Sequence, residues 1–95
     1  MPNVTVYSTA ICPYCVRAKA YLKKKGIAHI NEIRIDHHPD KMKEMFKLSQ
    51  RRTVPQIFID DFHVGGFDDL YALDQEGNLD PLLKPANESG EKIES

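Results

Sequence analysis

Apolar and polar residues alternate from Asn3 to Ser8, and the β-branched Val4, Thr5 and Val6 suit a pleated strand. From Pro13 to Lys25 the period lengthens. Cys15, Ala18 and Leu22 then fall on one face of a helix, with Arg17, Lys24 and Lys25 on its solvated side. Pro13 suits the first helical position, the lysines suit the negative C-terminal end, and Gly26 suits the stop. Alternation returns from Asn31 to Ile35, with Ile33 and Ile35 on one face. This second strand is expected to run parallel to the first, because a helix separates them.

Pro39 opens a second helix through about Leu48, with Met42, Met45, Phe46 and Ser49 at helical spacing. Arg51-Arg52-Thr53-Val54-Pro55 leads into a third strand, Gln56 to Ile59; Asp60-Asp61 turn the chain, and Phe62-His63-Val64 complete a hairpin. Gly65-Gly66 end that hairpin, a third helix starts at Phe67 and stops at Gly77, and a short helical piece from Leu79 to Leu83 covers the core edge. The order β-α-β-α-β-β-α calls for an α/β fold, a central mixed sheet with helices on both faces. Beyond Lys84 the only sizeable apolar side chain is Ile93, so residues 1–84 are expected to form one domain and 85–95 a disordered tail.

Composition narrows the function. Ninety-five residues suit one modest core. A net charge of −1, with 41% hydrophobic and 28% charged residues, creates no bulk field to recruit nucleic acid. The N-terminus lacks a basic start and an apolar stretch of signal type, and no apolar run reaches the roughly 18 residues of a membrane span. The expected location is the cytoplasm, with no membrane partner.

In a reducing compartment the two cysteines, Cys12 and Cys15, are a catalytic or metal-binding pair sooner than a structural one. Thiol–disulfide exchange needs an exposed thiolate and a second thiol to resolve the mixed disulfide. Cys12 stands at a strand-to-helix junction, where unpaired N–H groups and the helix dipole favour a negative sulfur. Cysteines so placed have pKa values of roughly 3.5–7.5 against about 8.5 when unperturbed. Cys15, one turn later, faces inward. Cys12 is therefore read as the nucleophile and Cys15 as the resolving thiol. A zinc knuckle would need two further ligands from His29, His37, His38 and His63, of which His37 and His38 are adjacent with diverging side chains. No metal is expected, and these histidines read as solvated or hydrogen-bonded surface residues.

Cys12-Pro13-Tyr14-Cys15, then Thr53-Val54-Pro55, then Gly65-Gly66 with Asp68-Asp69, resemble in order and spacing the glutaredoxins, in particular the small bacterial dithiol members. The resemblance covers nearly everything from Val4 to Lys84. It implies a thioredoxin-like fold with Pro55 cis and facing the cysteines. It implies a glutathione-dependent oxidoreductase that reduces protein disulfides and glutathione mixed disulfides, with glutathione as co-substrate, no resident cofactor and a monomeric state. By the same resemblance the Val54 backbone, flanked by Thr53 and Pro55, pairs with the cysteinyl part of glutathione. The γ-glutamyl carboxylate meets N–H groups after Gly66, Asp68 or Asp69 meets its ammonium, and Arg52 reaches the glycyl carboxylate. A Gly-Gly turn running into a helix N-terminus supports this independently, since it offers free N–H donors to a carboxylate. Tyr14 lines the cleft or caps the helix by packing.

Three positions depart from the family pattern. Thr9 stands where a basic residue is common, Gln50 where a glycine often ends the second helix, and Phe67 where a smaller or polar residue is usual. Gln50 is expected in a left-handed turn, and Phe67 to pack on ligand or on protein. Two rival functions share some of these features. One is an electron donor reduced by thioredoxin reductase, against which Arg52, Gly65-Gly66 and Asp68-Asp69 argue. The other is a carrier of an iron–sulfur cluster between two protomers, whose usual motif has a single cysteine rather than Pro13-Tyr14-Cys15.

Overall fold

The computed structural model describes residues 3–83. The expected tail, 85–95, lies outside the described residues. Strand β1 (Val4–Ser8) leads to helix α1 (Pro13–Lys24), strand β2 (Asn31–Arg34), helix α2 (Pro39–Ser49), strands β3 (Gln56–Ile59) and β4 (Phe62–Gly65), and helices α3 (Phe67–Gln75) and α4 (Leu79–Leu83). The four strands form one sheet in the order β2-β1-β3-β4. β1 pairs with β2 in parallel and with β3 antiparallel, and β3 with β4 antiparallel. This is the mixed sheet that the element order calls for.

Strand alternation divides the interior in two. Val4 and Val6 of β1, with Ile57 and Ile59 of β3, point to one face and pack under Ala18 and Leu22 of α1, Leu70 of α3 and Leu79 and Leu83 of α4. Tyr7 and Phe58 point to the other and meet Ile35 and Met45, with Ile33 and Val54 alongside. Helix α1 ends as its sequence predicts. Gly26 takes φ +102°, its N–H donates to Lys23 O, and the N–H of Ile27 reaches back to Leu22 O, so two terminal carbonyls are satisfied.

Helix α2 differs from its periodicity. Of the four residues at helical spacing only Met45 and Ser49 are buried; Met42 and Phe46 are 41% and 38% exposed. One strand-facing stripe is narrower than the apolar pattern, because only one short cluster covers this side of the sheet. Gln50 adopts the expected left-handed turn at φ 63°, and its side-chain amide donates to Lys47 O at 3.0 Å, covering a free carbonyl at the helix end.

Leu22 is fully buried at the centre of the larger cluster. Leu22→Ala should lower stability by roughly 2–5 kcal/mol. Val16→Ala, at a position 60% exposed on the same helix, should stay within about 0.5 kcal/mol. Urea unfolding of both variants in one redox state checks this, and equal losses would refute the assigned inward face.

Candidate functional site

The two cysteines meet at the start of α1. Cys12 is the N-cap, in extended conformation at φ −152° and ψ 95°, followed by Pro13 at the first helical position. That proline has no N–H to satisfy. The N–H of Cys15 donates to Cys12 Sγ at 3.1 Å, so sulfur fills the place usually held by a serine or aspartate oxygen. Cys12 and Cys15 are joined as a disulfide, with Cα atoms 5.2 Å apart. Cys12 is half-buried whereas Cys15 is buried at 1% exposure, the asymmetry an attacking and a resolving sulfur require.

Across from this pair runs Thr53-Val54-Pro55, with a cis peptide between Val54 and Pro55. The Val54 carbonyl oxygen lies 3.9 Å from Cys12 Sγ. A cleft of about 270 Å³ opens here, walled by Tyr14 on the α1 side, by Arg51, Thr53, Val54 and Pro55, and by Gly66, Phe67, Asp68 and Asp69. The rings of Tyr14 and Phe67 stack across its rim at 6.3 Å between centroids. Tyr14 therefore both lines the cleft and packs, and Phe67 leans on protein as well as on the opening.

The structure does not bring Arg52 into this cleft. Its guanidinium lies over the Phe46 ring, 4.9 Å from the centroid, beside Pro39, Met42 and Lys43 on the outer side of α2. Arg51 takes the inner place instead. Successive side chains of an extended segment point to opposite sides, so the residue that shares a side with Thr53 is Arg51. Ser49 sets this register at the helix exit, where its hydroxyl donates to Met45 O and accepts the Arg51 N–H at 3.0 Å.

The far wall is the hairpin end and the first turn of α3. Gly65 takes φ +113°, and a Cβ there would collide with the Asp69 carboxylate, so glycine is required twice over. Asp69 accepts from the Gly66 N–H at 2.9 Å and from Arg51 Nη1 at 2.8 Å. The Arg51 guanidinium first, and the Gly66 N–H next, hold its carboxyl below the usual range. Asp69 is thus committed to the protein. Asp68 is exposed and has no ion pair among the described residues. Of the two aspartates that could meet an ammonium, Asp68 is the one left open.

The loop before Cys12 is pinned from the turn that follows β2. Asp36 accepts the Ala10 N–H at 3.0 Å, Arg34 Nε at 3.0 Å and Arg34 Nη2 at 2.9 Å. Arg34 above all, with backbone N–H groups adding, holds the Asp36 carboxyl well below its usual range. Nothing in the local pattern of Asp36 signalled this role. Gln56 and His63, which bond each other behind Thr53, were equally silent in the sequence. Among the described residues no helix is long and apolar enough to cross a membrane, and no three His, Cys, Asp or Glu side chains gather as metal ligands.

A sheet of this topology, with a Cys-x-x-Cys pair at the first helix and a cis-proline loop opposite, defines a thioredoxin-fold thiol–disulfide oxidoreductase. The glutaredoxin family model matches residues 4–64. Glutaredoxin 3 of Escherichia coli strain K12 is 58% identical over 84 residues, 88% of this chain and all of that protein. The solution structure of glutaredoxin from Brucella melitensis is 54% identical with a TM-score of 0.75, over 87% of this chain and 89% of that one. A crystal structure of a buckwheat glutaredoxin–glutathione complex, 30% identical, matches with a TM-score of 0.76 over 86% of this chain and 76% of that one. The chain belongs to the glutaredoxin family. It is a glutathione-dependent thiol–disulfide oxidoreductase, and the cysteine pair is its redox centre.

Because the folded pKa of Asp36 is depressed, its stabilising effect is complete above the unfolded value of about 3.9 and is lost as pH falls below that toward the folded one. Stability measured by urea unfolding should therefore decline below about pH 4, and Asp36→Asn should flatten that decline while lowering stability at neutral pH. An unchanged acid slope in the variant would show that the Arg34–Asp36–Ala10 clamp contributes nothing.

Proposed function

We propose that Cys12 is the nucleophile and Cys15 the resolving thiol in reduction of glutathionylated proteins and protein disulfides. The observation that carries this reading is the Cys15 N–H aimed at Cys12 Sγ, the less buried of the two sulfurs and the one that approaches the Val54 carbonyl. An N–H donor at a helix start stabilises a thiolate more than a thiol. The Cys12 thiolate attacks the glutathionyl sulfur of a substrate, forming the Cys12–glutathione bond while the substrate thiolate leaves and takes a proton. A second glutathione thiolate then attacks the glutathionyl sulfur, releasing oxidised glutathione and restoring the Cys12 thiolate. With a protein disulfide the first attack leaves the substrate on Cys12. Cys15, having lost its proton, attacks Cys12 Sγ, frees the substrate thiol and forms the Cys12–Cys15 disulfide, which two glutathiones reduce. No resident cofactor enters; glutathione is co-substrate.

The cleft fits a glutathionyl group lying along Val54. The Val54 backbone pairs with its cysteinyl unit, with Thr53 and Pro55 shaping the groove and Tyr14 and Phe67 closing its rim. The free N–H groups of the first turn of α3, after Gly66, receive the γ-glutamyl carboxylate. Asp68 receives the ammonium, Asp69 holds the turn, and Arg51 supplies the cation for the glycyl carboxylate. The domain covering residues 1–84 acts as a monomer, and its place is the cytoplasm, the compartment whose glutathione keeps thiols reduced.

Single-cysteine variants test the roles. Cys15→Ser should keep deglutathionylation of a peptide yet lose most reduction of a protein disulfide, since only the latter needs an intramolecular thiol; Cys12→Ser should lose both. Substantial activity in Cys12→Ser, or a Cys15→Ser variant inactive on the glutathionylated peptide, would reverse the assignment. With deglutathionylation coupled to glutathione reductase, Arg51→Gln should raise KM for the peptide by roughly 3- to 10-fold, as expected for one partly exposed ionic contact, while Arg52→Gln stays near wild type. The opposite ranking would restore Arg52 to the site.

A further inference from the structure

The first residue of β3 is a buried amide that the redox chemistry does not use. Gln56 has no exposed surface, yet it sits directly behind the loop that faces Cys12. An amide so placed is tolerated only with its donors and acceptor satisfied. Its Nε2 donates to the Thr53 backbone carbonyl at 2.9 Å and lies 3.2 Å from Thr53 Oγ1. Its Oε1 lies 2.7 Å from Nε2 of His63 on the neighbouring strand.

Elementary donor and acceptor rules fix each atom in this chain. A backbone carbonyl only accepts, so the end of Gln56 that faces Thr53 O is the nitrogen. The oxygen is left for His63, and it also only accepts. His63 Nε2 must therefore carry a proton. The fold brings the two side chains together: Phe58 is in register with His63, an irregularity between Ile57 and Phe58 shifts the pairing, and Gln56 lies diagonally across on the same face. The His63 ring packs against Phe58 in a tilted arrangement, 4.9 Å between centroids, which limits its rotation.

We infer that His63 and Gln56 form a positioning relay, His63 orienting the Gln56 amide and Gln56 holding Thr53, so that the adjoining Val54 backbone is presented to an extended glutathionyl substrate. The functional part rests on the glutathione pose proposed above; the tautomer does not. Arg51 and Asp69 face His63 from the cleft side, and Asp60, Asp61 and Tyr7 border the hollow behind it. Burial, then Arg51, lower its proton affinity against an opposing pull from Asp69, so the neutral ring is the form at pH 7.5. Neither residue touches the sulfur atoms, so the relay acts on substrate binding and not on thiolate chemistry.

Nitrogen–proton NMR correlation of the imidazoles in the full chain at pH 7.5 should show His63 as the Nε2–H tautomer; an Nδ1–H tautomer overturns the relay. Two variants test its purpose. His63→Leu removes the donor, and His63→Gln places an amide N–H near the position of Nε2. With a glutathionylated peptide, His63→Leu should raise KM by roughly fivefold or more, the effect of one lost buried hydrogen bond, with kcat and the iodoacetamide rate of Cys12 within about twofold. His63→Gln should recover most of the KM. Equal kinetics in all three proteins, or kcat falling in step with Cys12 reactivity, would overturn the relay even with the tautomer as expected. If His63→Leu does not fold, the tautomer and the KM of His63→Gln against Gln56→Leu decide instead. A wild-type chain that fails to turn over the peptide would sink the proposed function and leave the relay to the tautomer.

Discussion

A sulfur atom caps helix α1, and the rest of the molecule is arranged around that contact. The first turn of any helix leaves N–H groups without partners. Here the Cys15 N–H is satisfied by Cys12 Sγ rather than by an oxygen, while Pro13 removes another donor from the count. One interaction thus serves two ends, stabilising a helix start and favouring negative charge on the Cys12 sulfur. It can do so only if Cys12 is held in extended conformation at the end of the loop that follows β1. The Asp36 carboxylate, bonded to Ala10 and clamped by Arg34, holds that loop from the turn that follows the neighbouring parallel strand.

The sheet explains why the second wall of the cleft stands where it does. β1 and β3 are antiparallel neighbours, so the loop leaving β1 and the loop entering β3 emerge at the same end of the sheet. Cys12 belongs to the first and Val54 to the second. The hairpin then returns the chain to this end, where Gly65 lets the Asp69 carboxylate close against the backbone. Three segments remote in sequence are therefore neighbours as a consequence of topology alone. Their side chains supply detail; the sheet supplies the meeting.

Most of this framework was legible because it depends on local rules. Period changes marked the strands and α1, and Gly26 marked a helix end; the left-handed turn at Gln50 was expected from the family resemblance and not from a local rule. A Cys-x-x-Cys pair at a helix start marked the redox centre. What the sequence withheld depends on direction. Arg51 and Arg52 are chemically identical neighbours, and only the register imposed by Ser49 and the extended chain decides which enters the cleft. Met42 and Phe46 match the helical period of Met45 but face outward, since periodicity cannot report how wide the facing surface is. Gln56 and His63 look like ordinary polar residues until an irregular hairpin register brings them together.

Phe67 shows how a residue at the rim of the cleft is tied into the fold. Its ring packs with Tyr14, Tyr21 and Tyr71, at 6.3, 6.0 and 6.5 Å between centroids, so it joins α1 to α3 at the rim of the cleft. Aromatic pairs of this kind contribute about 0.5–1.5 kcal/mol each beyond the area they bury, less where solvent reaches them. The Tyr21 hydroxyl continues the link by donating to Asp74, and Lys25 binds both Asp74 and Asp80, carrying it to α4. The anchor is therefore not a single contact but a chain of contacts across three helices. The Phe67 ring bounds the mouth of the cleft, and the same side chain stiffens the wall on which the first turn of α3 is built. The shape of the cleft at this rim is thus set by the packing of α1 on α3 as much as by the groups that line it.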